Sequence, residues 1–337
     1  MITVGVIGAG RIGKVHTESI CNYVRNAKIK TIADPYMNEE TEKWVESMGV
    51  PNTTKDYHDI LNDPEIDAVL ICSSTNTHSI ISLEAIAAGK HIFCEKPIDH
   101  DLDKIKQVMD ALKAHPELKY QVGFNRRFDH NFAAVRKAVV DGKIGETHII
   151  KVTSRDPEPP SAEYAAVSGG MFLDMTIHDF DMVRFLAGCD AEEIYVQSAV
   201  LVDPAIGEAG DVDTAVITIK MENGAIAVID NSRRAAYGYD QRIEVFGSKG
   251  AAVASNDTPT NVVFMGEEGV VADKPLYFFL ERYMQSFRDE MLQFVEAVIE
   301  DKPTPTTGED GLNSILVALA AKKSVAEGRP VQLSEMM

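Results

Sequence analysis

The chain is poor in positive charge, in cysteine and in long apolar runs. It has 33 Lys and Arg residues against 52 Asp and Glu residues, which gives a formal net charge of −19. A field of that sign repels phosphate backbones and anionic membranes, so we expect neither nucleic acid nor a membrane as a partner. No apolar run approaches the roughly 20 residues that span a bilayer. No basic region precedes the first apolar segment, so we also expect no signal peptide.

Cysteine is rare, and its spacing excludes the common zinc motifs. No two cysteines form a C-x-x-C pair, and three of the four lie among apolar neighbours. This pattern favours buried, reduced thiols over disulfides or metal ligands. We therefore predict a cytoplasmic protein without a bound metal. The four cysteines are Cys21, Cys72, Cys94 and Cys189.

The composition that remains is ordinary for a globular protein, with 45% hydrophobic and 25% charged residues over 337 positions. At about 100–200 residues per domain, this length predicts two domains. The first third alternates apolar strands with helices up to Phe124, which is typical of α/β proteins with a parallel, doubly wound sheet. We predict that residues 1–123 form this domain and that 124–337 form a second one.

The second part of the chain is rich in strands that follow one another without helices between them. Such succession predicts an α+β domain with a large open, mostly antiparallel sheet. Glu222, Asn223 and Gly224 indicate a hairpin turn. Continuous helices are predicted at 170–186, 276–300 and 308–327. The strands are predicted at 147–154, 194–202, 214–221, 225–231, 241–246 and 251–255.

The first predicted strand ends in a glycine-rich turn that opens a helix. Gly8, Gly10 and Gly13 have the G-x-G-x-x-G spacing, with Arg11 and Ile12 in the last gap. In this setting the glycines permit a tight turn, close approach of a pyrophosphate and close helix–strand packing, while the helix N-terminus attracts phosphates. The alternative is a merely tight turn. We predict a Rossmann dinucleotide-binding domain.

Asp34 ends the second predicted strand, 21 residues after Gly13. An acid at this position accepts hydrogen bonds from the adenosine ribose and repels the extra phosphate of NADP. The neighbours Pro35 and Tyr36 supply no cation for that phosphate. We therefore predict NAD as the cofactor, although a helix-capping Asp in a loop is the alternative.

A run of small polar residues follows the strand predicted at 67–73. We assign Ser73, Ser74, Asn76 and His78 to the cofactor site, because loops at the carboxyl edge of an open sheet line the ligand crevice. The same residues would also cap the next helix, so both interpretations stay open.

Glu95, Lys96 and Pro97 end the next strand at the same edge. We assign Glu95 and Lys96 to the cofactor site. Lys96 is also a candidate catalytic residue, because a lysine there can bind a substrate hydroxyl and stabilise a developing alkoxide. A surface salt bridge is the alternative.

Asp174 and His178 are four residues apart in a predicted helix, which places them on one face. Hydride transfer from a secondary alcohol needs a base for the hydroxyl proton, and histidine suits that role near neutral pH. A neighbouring carboxylate would orient the ring. A structural histidine is the alternative. A metal bound by His178, Asp179 and Asp181 is disfavoured, because Asp179 would point away from His178.

Taken together, the glycine motif, Glu95-Lys96-Pro97 and the D-x-x-x-H pair resemble the glucose–fructose oxidoreductase/inositol dehydrogenase family over nearly the whole chain. The stretches 123–129, 154–157, 174–179 and 237–242 are similar to its inositol 2-dehydrogenase branch. The resemblance implies that an NAD-dependent enzyme oxidises a secondary hydroxyl of myo- or scyllo-inositol. It also implies a cis Lys96–Pro97 bond and a homotetramer that assembles through the open sheet of the second domain.

The resemblance further implies a catalytic group made of Lys96, Asp174 and His178. In this scheme His178 takes the hydroxyl proton, Lys96 holds the same oxygen and Asp174 binds a neighbouring hydroxyl. Other positions match the family's substrate site approximately, although paired surface arginines and a plain turn are alternatives for the first two. These positions are Arg127, Asp156, Asp181 and Tyr237.

Three other functions are compatible with the sequence. The chain could be a dehydrogenase of another polyol or cyclic sugar, a non-catalytic NAD(H)-binding sensor, or a glycosidase that uses NAD transiently, since a fold alone does not fix a reaction. The set of Lys96, Asp174 and His178 argues against the sensor, because a binding module needs no base beside the nicotinamide.

Overall fold

A computed structural model describes residues 1–336, whose contacts divide them into two units. The first unit comprises Met1–Phe128 and Gln285–Ile315, and the second comprises 129–284 and 316–336. The predicted domains, in contrast, divide the chain only once. Segment 285–315 lies in the first unit because Met291 and Phe294 belong to the apolar core of its sheet. Within residues 1–336, no helix has the length and apolar character of a membrane span.

The first unit contains a six-stranded parallel sheet in which β1 and β4 are neighbours at the centre. The order across the sheet is β3-β2-β1-β4-β5-β6, so the chain winds outward in both directions from this pair. All four residues of β4 are buried, as expected for a parallel strand covered on both faces. The strands are β1 (Ile2–Ile7), β2 (Ala27–Ala33), β3 (Asn52–Thr54), β4 (Ala68–Ile71), β5 (His91–Cys94) and β6 (Tyr120–Val122).

The second unit contains a seven-stranded mixed sheet in which all neighbours but β7 and β10 are antiparallel. Its order is β12-β11-β7-β10-β9-β8-β15. Along β9, Ala215, Ile217 and Ile219 are buried, whereas the residues between them are exposed. The sheet therefore has one apolar face turned inward and one open face. The strands are β7 (Thr147–Arg155), β8 (Ala191–Ala199), β9 (Thr214–Met221), β10 (Ile226–Ser232), β11 (Asp240–Gly247), β12 (Gly250–Ala254) and β15 (Val331–Gln332).

Two exposed strands, β13 (Val263–Gly266) and β14 (Gly269–Ala272), form a separate hairpin in the second unit. The helices are α1 (Arg11–Tyr23), α2 (Glu39–Ser47), α3 (His58–Leu61), α4 (Thr75–Ala87), α5 (Leu102–Ala114), α6 (His130–Val140), α7 (Ala162–Val167), α8 (Met171–Asp174), α9 (Ile177–Ala187), α10 (Pro204–Glu208), α11 (Phe279–Arg282), α12 (Met284–Ile299) and α13 (Gly308–Glu327). Short 3-10 turns span Asn125–Phe128 and Leu333–Met336.

The predicted fold class is confirmed, and several short elements were missed. β3, α3, α7, α10 and the β13–β14 hairpin are too short or too polar to give a periodic signal. The hairpin turn at Gly224 is confirmed, since this residue has φ +85° between the antiparallel strands β9 and β10. All four cysteines are free, but Cys21 is exposed and Cys189 is half-buried, so the expectation of buried thiols fits only Cys72 and Cys94.

Two of the predicted long helices are interrupted. The helix predicted at 276–300 begins later, after the extended Phe278, and is two helices, α11 and α12, separated at Tyr283 (φ −114°, ψ 13°). Arg282, just before the break, is anchored by an ion pair with Asp129. The helix predicted at 170–186 is also two helices, α8 and α9, separated at Met175 and Thr176.

Candidate active site

Close backbone contacts shape the glycine-rich turn between β1 and α1. Gly8 has φ +103°, and a Cβ there would lie 2.6 Å from the carbonyl oxygen of Cys72. A Cβ at Gly13 would lie 2.0 Å from the carbonyl oxygen of Gly8. At Gly10, in contrast, a Cβ would meet no described neighbour within 4 Å. The turn therefore requires Gly8 and Gly13, whereas Gly10 leaves open space at the N-terminus of α1, which fits a pyrophosphate.

The N-terminus of α1 has no side-chain cap, because its capping position is Gly10. Arg11 is exposed and Ile12 is half-buried in the first helical turn. A helix without a side-chain cap leaves first-turn N–H groups for a ligand.

Asp34 follows β2 and holds the glycine-rich turn. Its Oδ2 accepts a hydrogen bond from the Ala9 amide at 2.7 Å, and its Oδ1 accepts one from the Tyr36 amide at 2.8 Å. The carboxylate thus supports the turn in addition to its predicted contact with a ribose. Each of its oxygens has a further lone pair with which to accept a ribose hydroxyl.

The loop after β4 leads into α4, which begins at Thr75. Ser73 Oγ lies 2.7 Å from Thr77 Oγ1, which donates to the carbonyl oxygen of Ser74 at 2.7 Å. Ser74 is the capping residue of α4, so the capping alternative applies to it, although its side chain makes no capping bond. Ser74 and Asn76 are exposed, and Ser73 is half-buried.

His78 is buried in α4, and both of its ring nitrogens contact the backbone. Nδ1 lies 2.8 Å from the Pro97 carbonyl oxygen, and Nε2 lies 3.0 Å from that of Ser73. Burial lowers the pKa of His78, but its interactions with Cys94 and with these two carbonyl groups outweigh burial and raise the pKa to about 9. A carbonyl can only accept, so both nitrogens donate and the ring is charged. His78 therefore ties two loops together and has no ring nitrogen left for a cofactor.

Lys96 emerges from a buried segment after β5. Residues 92–99 are buried except for Lys96, which is half-buried, and its peptide bond to Pro97 is cis, as the resemblance implies. Glu95 Oε1 lies 2.6 Å from Nε2 of the buried His16 in α1, and Glu95 Oε2 accepts from the Lys96 amide at 3.2 Å. Glu95 therefore links α1 to the backbone of Lys96, a positioning role that the sequence did not reveal.

Asp174 and His178 emerge together from a buried stretch. Every residue from Met171 to Val183 is buried except these two, which are half-buried. They do not share one helix: Asp174 ends α8, and His178 lies in the first turn of α9. The backbone shifts here, because the Thr176 amide reaches back to the Met171 carbonyl oxygen at 2.9 Å and breaks the regular pattern. The argument from one continuous helix was thus wrong, although both side chains do reach the surface.

Two polar groups from elsewhere in the second unit hold this stretch. The single N–H of Met171 is shared between the two carboxylate oxygens of Asp211, at 3.0 and 2.9 Å, so Asp211 caps α8. Asn231 in β10 accepts from Thr176 Oγ1 at 2.7 Å and donates to Asp179 Oδ2 at 2.9 Å. The break between α8 and α9 is therefore fixed by buried hydrogen bonds to the sheet.

Asp156 and Asp174 share a partner that the sequence did not reveal. Arg233 Nη1 lies 3.5 Å from Asp156 Oδ2 and 3.5 Å from Asp174 Oδ2. Tyr164 in α7 donates to Asp174 Oδ1 at 3.1 Å. Arg233 comes directly after β10, where it reads as one of two adjacent surface arginines. Its burial follows from sheet register alone, which leaves no signal in the sequence.

The other predicted substrate residues lie in different surroundings. Arg127 donates to Asp310 Oδ1 at 2.8 Å, within the first unit. Asp181 is 1% exposed. The Tyr237 hydroxyl donates to Asp240 and accepts from Arg155 Nη1 at 3.0 Å. These contacts do not place Arg127, Asp181 or Tyr237 beside Asp174, and their assignment to the substrate stays a prediction.

One group of potential metal ligands already contacts a cation. Ligand atoms of Asp129, His130 and Asp257 lie within 4.8 Å of one another. The guanidinium of Arg282 pairs with Asp129 and lies 3.1 Å from Asp257 Oδ2. The arginine supplies the positive charge that a metal ion would bring.

Comparison with known proteins gives two family matches that cover most of the chain. Residues 2–124 match an oxidoreductase family's NAD-binding Rossmann fold, and residues 136–333 match the same family's C-terminal alpha/beta domain.

Relatives extend over the full chain. The chain is 49% identical to an uncharacterised oxidoreductase of Bacillus subtilis over 98% of this chain and 96% of that protein. It is 47% identical to myo-inositol 2-dehydrogenase of Thermotoga maritima over 99% of each chain. It superposes with a TM-score of 0.92 at 31% identity, over 99% of each chain, on a crystal structure of scyllo-inositol dehydrogenase from Lactobacillus casei with bound NAD(H) and scyllo-inositol.

Proposed function

The chain belongs to the glucose–fructose oxidoreductase/inositol dehydrogenase family of NAD-binding oxidoreductases, and from this premise we propose that its substrate is an inositol. The reaction is the oxidation of one secondary hydroxyl of myo- or scyllo-inositol to the ketone, with release of a proton and transfer of a hydride to NAD. The names of relatives at 47% and 42% identity support the substrate class.

The first unit supplies a site that fits NAD. The space at Gly10, the uncapped N-terminus of α1 and the carboxylate of Asp34 suit a pyrophosphate and an adenosine ribose. The exposed Ser74 and Asn76 extend the same sheet edge. When bound there, NAD supplies a nicotinamide ring that accepts the hydride.

The observation that carries the proposal is the exposure pattern of Lys96, Asp174 and His178. Each is half-buried within a segment whose neighbours are buried, so each is held firmly yet reaches the surface. We assign proton removal from the reacting hydroxyl to His178, as general base. The Lys96 ammonium donates a hydrogen bond to the same oxygen and stabilises its developing negative charge. Asp174 accepts a hydrogen bond from a neighbouring hydroxyl and so orients the ring.

The test is NADH formation by the purified protein with NAD and, separately, myo-inositol, scyllo-inositol and glucose. We expect signal with an inositol. Lys96→Ala and His178→Asn should each lower kcat by about 100-fold or more. His178→Asn should leave NAD binding in place, whereas Lys96→Ala should also weaken it, because Lys96 is assigned to the cofactor site as well. The matched controls Lys106→Ala and His115→Asn, both at exposed positions, should retain wild-type rates.

Other outcomes would identify the rival functions. Turnover of a different polyol or cyclic sugar alone would reassign the substrate. NAD binding without turnover of any polyol would favour a sensor. Release of an aglycone without net NADH would favour a glycosidase.

We propose a homotetramer that assembles through the open face of the second unit's sheet. Large apolar side chains are exposed there: Val216, Ile226 and Phe246 are 50%, 51% and 45% exposed. Ile226 and Phe246 lie on either side of Ile149 of β7 and form an apolar row across the sheet, and exposed apolar patches mark association surfaces. Light scattering should give about four times the chain mass of 37.0 kDa, and Ile226→Lys should lower the measured mass.

We also propose a cytoplasmic location, which the free thiols fit.

A further inference from the structure

Arg233 is a buried cation between two half-buried carboxylates. Its side chain is 3% exposed, whereas those of Asp156 and Asp174 are 15% and 18% exposed. Its backbone amide donates to the Asp213 carbonyl oxygen at 2.8 Å, which fixes the residue at the end of β10. The arginine therefore lies behind the carboxylates, while both carboxylates remain reachable from the surface.

The buried guanidinium of Arg233 is stabilised mainly by ion pairing and only to a small extent by hydrogen bonds. Its Nε and Nη2 atoms are buried and have no hydrogen-bond acceptor among residues 1–336. An arginine remains protonated in proteins, and a buried charge is costly unless it is paired. Asp156 and Asp174, both 3.5 Å from Nη1, provide that pairing.

Arg282 in the same unit shows what a purely structural pair looks like. Arg282 and its partner Asp129 have side chains that are 2% and 1% exposed, so neither can meet a ligand. Arg282 has a second acid, Asp257, which is 29% exposed, so the contrast lies in the closer acid. At Arg233 the cation is equally buried, but both of its acids reach the surface, whereas the closer acid of Arg282 does not. The difference points to a ligand-facing role for the two carboxylates.

We propose that Arg233 determines substrate specificity by positioning Asp156 and Asp174. Two carboxylates held in this way each accept a hydrogen bond from a substrate hydroxyl, which suits a ring with neighbouring hydroxyl groups. One cation behind two anions leaves a net negative site. This site selects neutral polyols and rejects ring substrates that carry a carboxylate, such as uronic acids. The inference rests on the proposed function, because it assumes that Asp156 and Asp174 face the polyol.

The test compares Arg233→Gln, Arg233→Lys and the adjacent control Arg234→Gln, whose side chain is exposed. In Arg233→Gln, repulsion between the two acids should weaken their hold on the substrate. We expect the KM for inositol to rise about tenfold or more, with the KM for NAD within about twofold of wild type. Arg233→Lys should recover part of the loss because it restores the charge, and Arg234→Gln should match wild type. A role confined to folding would not change one KM and spare the other.

A second variant keeps the inference testable if Arg233→Gln does not fold. Asp156→Asn removes one negative charge, so glucuronate should inhibit this variant at least about fivefold more strongly than it inhibits wild type. Unchanged glucuronate inhibition in Asp156→Asn would overturn the inference, as would a folded Arg233→Gln protein with wild-type inositol KM. If wild type itself binds and oxidises no inositol or other polyol, the proposed function fails first and the inference falls with it, a result that differs from both of these.

Discussion

The proposed site residues form two halves, one in each unit, and the two halves are built in different ways. In the first unit, the site is mostly backbone, set by Gly8, Gly10 and Gly13 within one turn. In the second unit, it consists of side chains held by partners far away in the sequence. Asp174, for example, contacts Arg233, 59 positions further along the chain. A backbone site needs only a short spacing motif, whereas a side-chain site depends on how distant strands align.

Because of that difference, substitutions in the two units should affect stability and binding in different ways. A Cβ added at Gly8 or Gly13 would lie within 3 Å of backbone atoms that cannot move aside, so the first half should fail sharply at these two positions. Loss of one side chain in the second half should weaken a network whose other members remain. The following experiments test this contrast, from the largest expected effect to the smallest.

Gly13→Ala should have the largest effect. Its Cβ would lie 2.0 Å from the Gly8 carbonyl oxygen, so the turn or the start of α1 must move. We expect a loss of about 3 kcal/mol or more in unfolding free energy, together with loss of NAD binding. Thermal unfolding and NAD titration would measure both quantities.

The matched control is Gly10→Ala. No described neighbour lies within 4 Å of a Cβ there, and φ at Gly10 is −71°, a value that alanine adopts readily. Its stability should fall by no more than about 1 kcal/mol, the usual cost of alanine at a capping position. NAD affinity should still fall, because the methyl group enters the space assigned to the pyrophosphate. Equal stability losses in both variants would contradict the contrast.

Asn231→Ala tests the second half and should have the next largest effect. The change removes the amide group that accepts from Thr176 Oγ1 and donates to the fully buried carboxylate of Asp179. We expect a loss of about 2–3 kcal/mol in unfolding free energy. Because the break before His178 loosens, kcat should fall more than NAD affinity. The exposed Asn52→Ala variant is the control. A normal kcat in a destabilised Asn231→Ala protein would show that this break does not position His178.

The same contrast explains how much could be predicted from the sequence. The strand–helix alternation of the first unit, apart from the short β3 and α3, and its glycine turn follow from local spacing, and both were predicted. Asn231 and Arg233 act through sheet register, which pairs them with residues from other strands and helices. The same lack of long-range information explains why the segment around Asp174 was predicted as one helix: its irregular backbone is stabilised by Asn231, not by its own sequence.

His78→Gln tests how much the hydrogen bonds of His78 to two loops of the first unit contribute to stability. Its pKa is raised from 6.5 to about 9, so its contribution to stability is complete below pH 6.5 and is lost as the pH rises through about 9. Wild type should therefore lose of order 1–3 kcal/mol more than His78→Gln over this range. Denaturant unfolding at pH 6 and pH 9 measures the difference, with the exposed His115→Gln variant as the control. Parallel pH dependence in wild type and His78→Gln would mean that the ring is neutral in the folded protein.

Asp34→Ala should have the smallest effect on stability and the most specific one on function. The carboxylate is predicted to repel the extra phosphate of NADP, so its loss should move the NAD/NADP ratio of kcat/KM toward NADP by about tenfold. Asp34 also accepts a hydrogen bond from the Ala9 amide, so the KM for NAD should rise as well. Glu39→Ala removes an exposed acid from α2 and should leave the ratio unchanged. If the KM for NAD rises while the ratio stays at its wild-type value, Asp34 supports the turn but does not discriminate between cofactors. In that case Asp34 would act only by supporting the backbone of the glycine-rich turn. No side chain of the first unit would then select the cofactor, and the contrast between a backbone site and a side-chain site would be sharper than we propose.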